Sequence, residues 1–106
     1  MFVIRKAFLM KVYSDKQKVY KERHDEIWPE MVKEIKRHGG HNYSIFLDKK
    51  TNYLFAYVEI ENEEKWHQLS QSPVNKKWWD YMKDIMETNP DHSPVTKNLE
   101  EVFHLD

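Results

Sequence analysis

The chain of 106 residues contains no cysteine and only two glycines. Without cysteine it can form no disulfide, no zinc–thiolate site and no iron–sulfur cluster, and it has no thiol nucleophile. A phosphate-binding loop of the type G-x-x-x-x-G-K needs more glycine than the single pair Gly39-Gly40 provides. Charge of one sign is not in excess either, because 17 Lys and Arg residues balance 18 Asp and Glu residues. This balance argues against a nucleic-acid partner and against a polybasic membrane anchor.

Long hydrophobic runs are also missing. The apolar segment Met1–Val12 is interrupted by Arg5, Lys6 and Lys11, so it fits neither a secretory signal nor a membrane span. We therefore expect a cytoplasmic protein. The length of the chain predicts one domain, residues 1–106, which is large enough to enclose a hydrophobic core. Aromatic residues, in contrast, are abundant, at 14% of the chain with four Trp.

The spacing of apolar residues predicts four strands. They cover Phe2–Val12, His41–Asp48, Tyr53–Ile60 and Leu99–Leu105. The polar segment Lys49–Asn52 is short, so the second and third strands should form a hairpin. The first and third strands carry apolar side chains on both of their faces.

The first helical region follows a stripe of residues spaced three or four apart. It should begin near Asp15, where Ser14 and Gln17 match a capping box, and end at Gly39. Pro29 is expected to kink or split it. The residues of the stripe that faces the sheet are Tyr20, His24, Ile27, Met31 and Ile35.

The second helical region has two parts. Asn62 caps a short helix over Glu63–Gln71, and Ser72-Pro73 starts a longer helix that runs to about Glu87. The element order is therefore β-α-β-β-α-β. This order predicts the ferredoxin-like fold of the α+β class, in which a four-stranded antiparallel sheet carries both helices on one face.

The other face of such a sheet would stay uncovered, although its residues are partly apolar and aromatic. Monomeric proteins rarely expose a large apolar patch. Two sheets packed face to face would cover it, so the pattern predicts a homodimer. A monomer with a modestly apolar open face is the alternative.

His24 is the main candidate for chemistry. Of six histidines, it alone lies in the middle of a predicted helix among core-facing residues, one turn after Tyr20. Imidazole is the side chain best suited to acid–base work near neutral pH. The alternative is a half-buried, hydrogen-bonded histidine with a structural role.

Two other polar clusters do not predict a site. His38 and His41 flank the glycines that end a helix, so their rings would not share a helix face. No third ligand has metal-site spacing, and we expect no metal. The four carboxylates between Glu59 and Glu64 are typical of a solvated strand end and helix start.

Trp78 and Trp79 are adjacent in a predicted helix, so their side chains point about 100° apart. One can pack inward while the other lies at the flank, where its ring offers a flat apolar platform to the C–H face of a sugar. Tyr43 can place its ring over the same helix–sheet region. The alternative is one core Trp and one surface ring. Together with His24, these residues indicate a small aromatic site suited to proton transfer on a neutral polar molecule.

Several short blocks of the sequence occur together in one known family. In chain order they are Ile4-Arg5-Lys6-Ala7-Phe8, Tyr20-x-x-x-His24-x-x-Ile27-Trp28-Pro29-Glu30, His38-Gly39-x-His41-Asn42-Tyr43-x-Ile45, Trp78-Trp79-x-Tyr81-Met82, Asn89-Pro90-Asp91-x-Ser93-Pro94 and Glu101-Val102-Phe103. On these blocks the chain resembles the L-rhamnose mutarotase family over essentially its whole length.

The resemblance implies a dimeric α+β barrel of ferredoxin-like subunits. It also implies a cytoplasmic isomerase of rhamnose metabolism that interconverts the α and β anomers of L-rhamnose without a cofactor. His24 falls on the family's proton-donor histidine, and the sugar-contacting positions correspond to Tyr20, Tyr43, Trp78 and Trp79. His24 would then be the acid in ring opening, while the base could be a tyrosine, a water or another residue.

The fold alone leaves other functions open. Many dimeric ferredoxin-like barrels are cofactor-free monooxygenases, dehalogenase-like proteins or binding proteins. A monooxygenase needs a roomy apolar pocket, whereas a mutarotase needs a small pocket with polar groups that match hydroxyls. A sugar-binding or sensing module would keep the pocket but would not need His24.

Overall fold

The computed structural model describes residues 3–106. The strands are β1 (Ile4–Lys11), β2 (Gly40–Leu47), β3 (Tyr53–Ile60) and β4 (Lys97–Leu99). They form an antiparallel sheet in the order β2-β3-β1-β4. The order of elements and strands confirms the ferredoxin-like fold. Phe2, where the first strand is predicted to start, lies outside the described residues.

The helices lie between the strands, as predicted. They are α1 (Gln17–Asp25), α2 (Pro29–Arg37), α3 (Glu63–His67) and α4 (Pro73–Met82), with 3₁₀ turns at Ser14–Lys16 and Gln68–Gln71. Pro29 splits the first helical region because proline disfavours a helical backbone in the residue before it, and Trp28 is extended. α4 ends before the predicted Glu87, since Met86 pairs with Val12 in a β-bridge. Among residues 3–106, no helix has the length and apolar character needed to cross a membrane.

Two of the three predicted helix starts are correct. The Asn62 side chain accepts a hydrogen bond from the Lys65 amide (2.6 Å), and Ser72 Oγ accepts one from the Asn75 amide (3.4 Å). These contacts cap α3 and α4.

The capping box predicted at the first helix is wrong. The N-cap position of the 3₁₀ turn is Tyr13 and has no side-chain cap. Gln17 Nε2 instead donates hydrogen bonds to Asn52 Oδ1 (2.6 Å) and to the Lys49 carbonyl (3.0 Å). Because the β2–β3 turn offers these acceptors, Gln17 ties the start of α1 to the hairpin.

The hydrophobic core lies between the sheet and the helices. The buried side chains of β3, each no more than 1% exposed, are Leu54, Ala56, Val58 and Ile60. The alternate residues Tyr53 and Phe55 point to the other side, where Phe46 of β2 lies opposite Phe55. These three aromatic residues are 40%, 42% and 66% exposed respectively. We call this uncovered side the open face, and the helices cover the other one, as predicted.

The last strand is shorter than predicted. β4 pairs with β1 only over Lys97–Leu99, and the chain then leaves the sheet. Arg5 Nε donates to Glu101 Oε1 at 2.8 Å, so a side-chain pair holds the tail where the backbone ladder has ended. Val102 and Phe103 are 90% and 78% exposed. The alternation of apolar and polar residues predicted a strand over Leu99–Leu105. That prediction is wrong beyond Leu99, because a strand also needs a neighbouring strand to pair with, and β1 pairs only with Lys97–Leu99.

Candidate active site

Tyr20 and His24 lie one turn apart on α1 and face the sheet. Their rings stack with centroids 4.4 Å apart and planes inclined by 27°. Tyr20 is buried in the core, at 7% exposure. The helical spacing of four residues thus places a phenol ring flat against the imidazole.

The protonation of His24 depends on its hydrogen bond and on its burial. Its Nδ1 lies 3.0 Å from the Tyr20 carbonyl oxygen. Burial of the ring lowers the pKa of His24, and this effect outweighs the opposing influences of the Tyr20 carbonyl and of Asp25. The imidazole is therefore neutral near pH 7.

Trp78 reaches His24 from α4. The two rings meet edge to face, with centroids 5.4 Å apart and planes at 86°. Trp78 also packs edge to face on Trp28, at 5.1 Å, and it is only 7% exposed. Of the adjacent tryptophans, Trp78 is therefore the inward one, and it holds the imidazole between two aromatic rings.

Tyr43 lies on the same side of the sheet as His24. A bulge between His41 and Ser44 interrupts the β2–β3 register there, and the Tyr43 ring contacts Phe8 (6.5 Å between centroids). As a whole residue Tyr43 is 36% exposed, yet burial around its hydroxyl raises the pKa of the phenol to about 12.

The phenol of Tyr20, like that of Tyr43, has a raised pKa. Burial is the main cause that raises the pKa of Tyr20, and the nearby Tyr43 adds to it. Four of the five residues predicted for the site, Tyr20, His24, Tyr43 and Trp78, thus gather on one side of the sheet.

Trp79 is placed apart from the other four. It lines a half-open groove of about 720 Å³ together with Lys76, Asn89 and Asp91. His24, Tyr20, Tyr43 and Trp78 do not line this groove. The ionisable side chains of the groove, Lys76, Asp91 and His92, are exposed or only half-buried, so the acid–base chemistry points to His24 and not to the groove.

Sequence reasoning assigned no site role to Trp28, Trp66 or Tyr81. Trp66 packs against Tyr43 with centroids 6.1 Å apart, and Tyr81 packs against Trp78 at 5.6 Å. Gly40 lies against Trp66, since a Cβ on Gly40 would be 2.6 Å from Trp66 Cζ3. Glycine at the start of β2 makes room for this indole.

The two histidines considered as a metal pair have separate partners. His38 Nδ1 donates to the Glu34 carbonyl (2.8 Å), and His41 Nε2 lies 3.1 Å from Glu61 Oε2. Within residues 3–106, no three His, Asp or Glu side chains come together in a way that could hold a metal ion.

Arg23, next to His24 on α1, joins this helix to the end of α4. Its guanidinium donates to the Tyr81 carbonyl (2.6 Å) and to both carboxylate oxygens of Asp84 (2.8 and 3.2 Å). It also lies over the Tyr81 ring, 4.4 Å from the centroid. At the other end of α4, Ser72 Oγ donates to Glu34 Oε2 of α2. The helix that carries Trp78 is therefore held at both ends.

Arg23→Ala is expected to lower the free energy of unfolding by about 1–2 kcal/mol, because a bidentate ion pair and its packing on Tyr81 are lost. Urea unfolding measures the change. Lys21→Ala is the matched control, since Lys21 pairs with Asp25 on the exposed side of the same helix, and it should cost about 0.5 kcal/mol or less. Equal losses of stability in both variants would contradict a stabilising contact between Arg23 and the end of α4.

Comparison with known proteins decides the family. A family model described as L-rhamnose mutarotase matches residues 5–105. An L-rhamnose mutarotase from Oceanobacillus iheyensis is 61% identical over 102 residues, which cover 96% of this chain and 98% of that protein. The chain belongs to the L-rhamnose mutarotase family. This result confirms the family that the short sequence blocks predicted.

Solved structures agree with this family. The crystal structure of an L-rhamnose mutarotase from Formosa agariphila has a TM-score of 0.90 and 46% identity, and the match covers 97% of this chain and 99% of that chain. A dimeric ferredoxin-like protein from an uncultured marine organism shares the fold alone, with a TM-score of 0.63 and 11% identity over 98% of this chain and 97% of that chain. Membership of the mutarotase family thus rests on sequence and backbone together.

Proposed function

We propose that this protein interconverts the α and β anomers of L-rhamnose in cytoplasmic rhamnose metabolism, by opening and closing the sugar ring without a cofactor. One observation carries the proposal: a neutral, mostly buried imidazole, that of His24, lies between the aromatic rings of Tyr20 and Trp78. Relatives that share 61% and 46% of its residues are described as L-rhamnose mutarotases.

The reaction needs two proton transfers, which acid–base side chains can supply. Ring opening removes the proton of the anomeric hydroxyl and adds one to the ring oxygen. Each well-placed acid or base typically accelerates such a step by about 10²–10⁴-fold. His24 is the proposed catalytic residue, because its ring is held by Tyr20 and Trp78 and imidazole is the side chain best suited to acid–base work.

The proposed sugar contacts are Tyr20, Tyr43, Trp78 and Trp79. Aromatic faces suit the C–H surface of a sugar and the apolar methyl group of a 6-deoxy sugar. Tyr43 and Trp79 have accessible surface for such contact, whereas Tyr20 and Trp78 can present only a small part of their rings. We infer that the latter two mainly position the imidazole beside the sugar.

The rate of anomer exchange tests this function. Saturation-transfer NMR of L-rhamnose at pH 7 should show faster exchange between the α and β signals when the protein is added. A heat-denatured sample is the blank for spontaneous exchange. Sugar binding without faster exchange would indicate a binding module, and activity on apolar aromatic substrates alone would indicate a monooxygenase.

The protein is further proposed to be a homodimer. The open face exposes Phe46, Tyr53 and Phe55, and the tail adds Phe103, which is 78% exposed. Water-exposed aromatic residues on one sheet face are typical of an interface between subunits.

Light scattering at micromolar concentration is expected to give about twice the chain mass of 13.0 kDa. Phe55→Glu, at the middle of the open face, should shift the mass toward one chain because it buries a charge in the interface. Val95→Glu changes an exposed apolar residue of the loop before β4 and should leave the mass unchanged. A single-chain mass for the unmodified protein would refute the dimer.

A further inference from the structure

The imidazole of His24 is attached to its own helix and to α4 by different contacts. On α1, Nδ1 of His24 lies 3.0 Å from the Tyr20 carbonyl oxygen, and the two rings stack. These contacts fix the imidazole relative to α1. The edge-to-face contact with Trp78, at 5.4 Å between centroids, fixes it relative to α4. The position of the imidazole in the fold therefore depends on how firmly the Trp78 ring is held.

Trp28 holds the Trp78 ring from the junction between α1 and α2. The two indoles meet edge to face, with centroids 5.1 Å apart and planes at 89°. Although Trp28 comes four residues after His24, α1 has already ended, and the backbone of Trp28 is extended because Pro29 follows it. The Trp28 carbonyl accepts hydrogen bonds from two amides in the first turn of α2, at 2.9 and 3.1 Å. The indole therefore projects from a backbone that is anchored to α2.

Tyr81 holds the same indole from α4. Its ring centroid lies 5.6 Å from that of Trp78 and 5.4 Å from that of Trp28. Arg23 of α1 fixes Tyr81 in turn, because its guanidinium lies over the Tyr81 ring at 4.4 Å and donates to the Tyr81 carbonyl at 2.6 Å. We call Trp28 and Tyr81 the supporting pair, since both pack on Trp78 and on each other.

We propose, on the basis of the proposed function, that Trp28 and Tyr81 are positioning residues for His24. They hold the Trp78 ring against the imidazole and thereby keep His24 in the orientation that proton transfer to the sugar needs. This role requires no contact between the supporting pair and the sugar.

The proposed role affects turnover more than binding. Proton transfer depends steeply on geometry, and a displacement of about 1 Å that originates away from the reacting atoms can lower the rate about 10²-fold. Sugar affinity, in contrast, is the sum of several contacts and changes little when one ring moves slightly. Loss of the supporting pair should therefore lower kcat and leave KM nearly unchanged.

Tyr81 offers the first test, because it is 43% exposed and its replacement should not prevent folding. Tyr81→Leu removes the ring and is expected to lower kcat for anomer exchange about tenfold, with KM within about threefold of the wild-type value. Tyr81→Phe keeps the ring and should restore the wild-type kcat. Saturation-transfer NMR at several concentrations of L-rhamnose gives both constants.

Trp28 gives the same comparison for the more deeply packed member of the pair. Trp28→Leu should lower kcat at least as much as Tyr81→Leu, because Trp28 has the shorter centroid distance to Trp78. Trp28→Phe, which keeps an aromatic ring, should recover most of the loss. Circular dichroism establishes that each variant is folded at the temperature of the assay.

The NMR signals of the His24 ring provide a readout that needs no sugar. The rings of Tyr20 and Trp78 displace the chemical shifts of the His24 ring protons from those of free histidine, since both lie in contact with the imidazole. Tyr81→Leu and Trp28→Leu should move these shifts toward the free values. Tyr81→Phe should leave them in place.

Ile35→Ala separates positioning from a general loss of stability. Ile35 also belongs to α2 and packs against the core from the other half of that helix. The substitution should lower the urea midpoint of unfolding, as Trp28→Leu does. In the folded variant, kcat and the His24 signals should equal those of the wild type.

Several results would overturn the positioning role. These are an unchanged kcat in both leucine variants, a rise of KM alone, unchanged His24 signals in both leucine variants, or an equal loss of kcat in Ile35→Ala. A rise of KM alone would make the supporting pair sugar contacts. If the wild-type protein does not accelerate exchange, the proposed function has failed, and the His24 signals of the leucine variants still decide whether the pair holds the imidazole.

Discussion

His24→Ala is expected to slow anomer exchange by about 10²-fold or more, because the proposed acid–base group of ring opening is removed. The affinity for L-rhamnose should stay within about tenfold, equivalent to about 1.4 kcal/mol, since the aromatic walls remain. Saturation-transfer NMR measures the exchange, and titration followed by tryptophan fluorescence measures the affinity.

Two controls make the His24 result interpretable. Circular dichroism and light scattering must show that the variant keeps its fold and its assembly state. His67→Ala, an exposed histidine at the end of α3, should exchange anomers at the wild-type rate. If His24→Ala unfolds, His24 is a structural core histidine, and if it exchanges anomers at a near-normal rate, another group moves the proton.

Trp78→Ala is expected to lower the free energy of unfolding by about 3–5 kcal/mol, because a large buried aromatic side chain leaves a cavity. The indole is 7% exposed and packs against Trp28 and His24. Urea unfolding followed by circular dichroism measures the loss. The family resemblance implies that Trp78 and Trp79 both contact the sugar. Because Trp78 is also buried in the core, its removal should lower stability as well as sugar binding.

Trp79→Ala is the matched comparison on the same helix. Trp79 is only partly buried and lines the groove with Lys76, so its loss should cost less stability and should mainly weaken sugar binding. Trp78→Phe, which keeps an aromatic ring, should recover part of the stability. Equal destabilisation by the two alanine substitutions would contradict the different burial of Trp78 and Trp79.

Short-range signals in the sequence predict much of the fold. Pro29 splits the first helical region, and Asn62 and Ser72 cap the helices that follow, because these effects depend on neighbours within one turn. The capping box at Ser14 failed for the opposite reason. Gln17 found its partners in the β2–β3 turn, more than thirty residues away.

The candidate site is predictable only in part. The helical spacing of Tyr20 and His24 places both on the sheet-facing side, and strand alternation places Tyr43 on that side too. The contacts of Trp66 and Trp28 with this group were not predictable, because they join residues from separate helices and strands. The space beside Gly40 that accommodates Trp66 forms only when the chain has folded.

By itself, the sequence determined the order of elements and the family, and it singled out His24 as the candidate for chemistry, since alternation, helical spacing and short motifs act locally. Only the tertiary structure decided that Trp78 faces inward and Trp79 faces the groove, because a helix pattern leaves its rotation open until another element packs on it. Tertiary structure also decided that β4 ends at Leu99, since strand pairing needs a partner backbone. The neutral state of the His24 ring was also decided there: α1 supplies the Tyr20 carbonyl next to Nδ1, but burial by the other elements lowers the pKa of the ring.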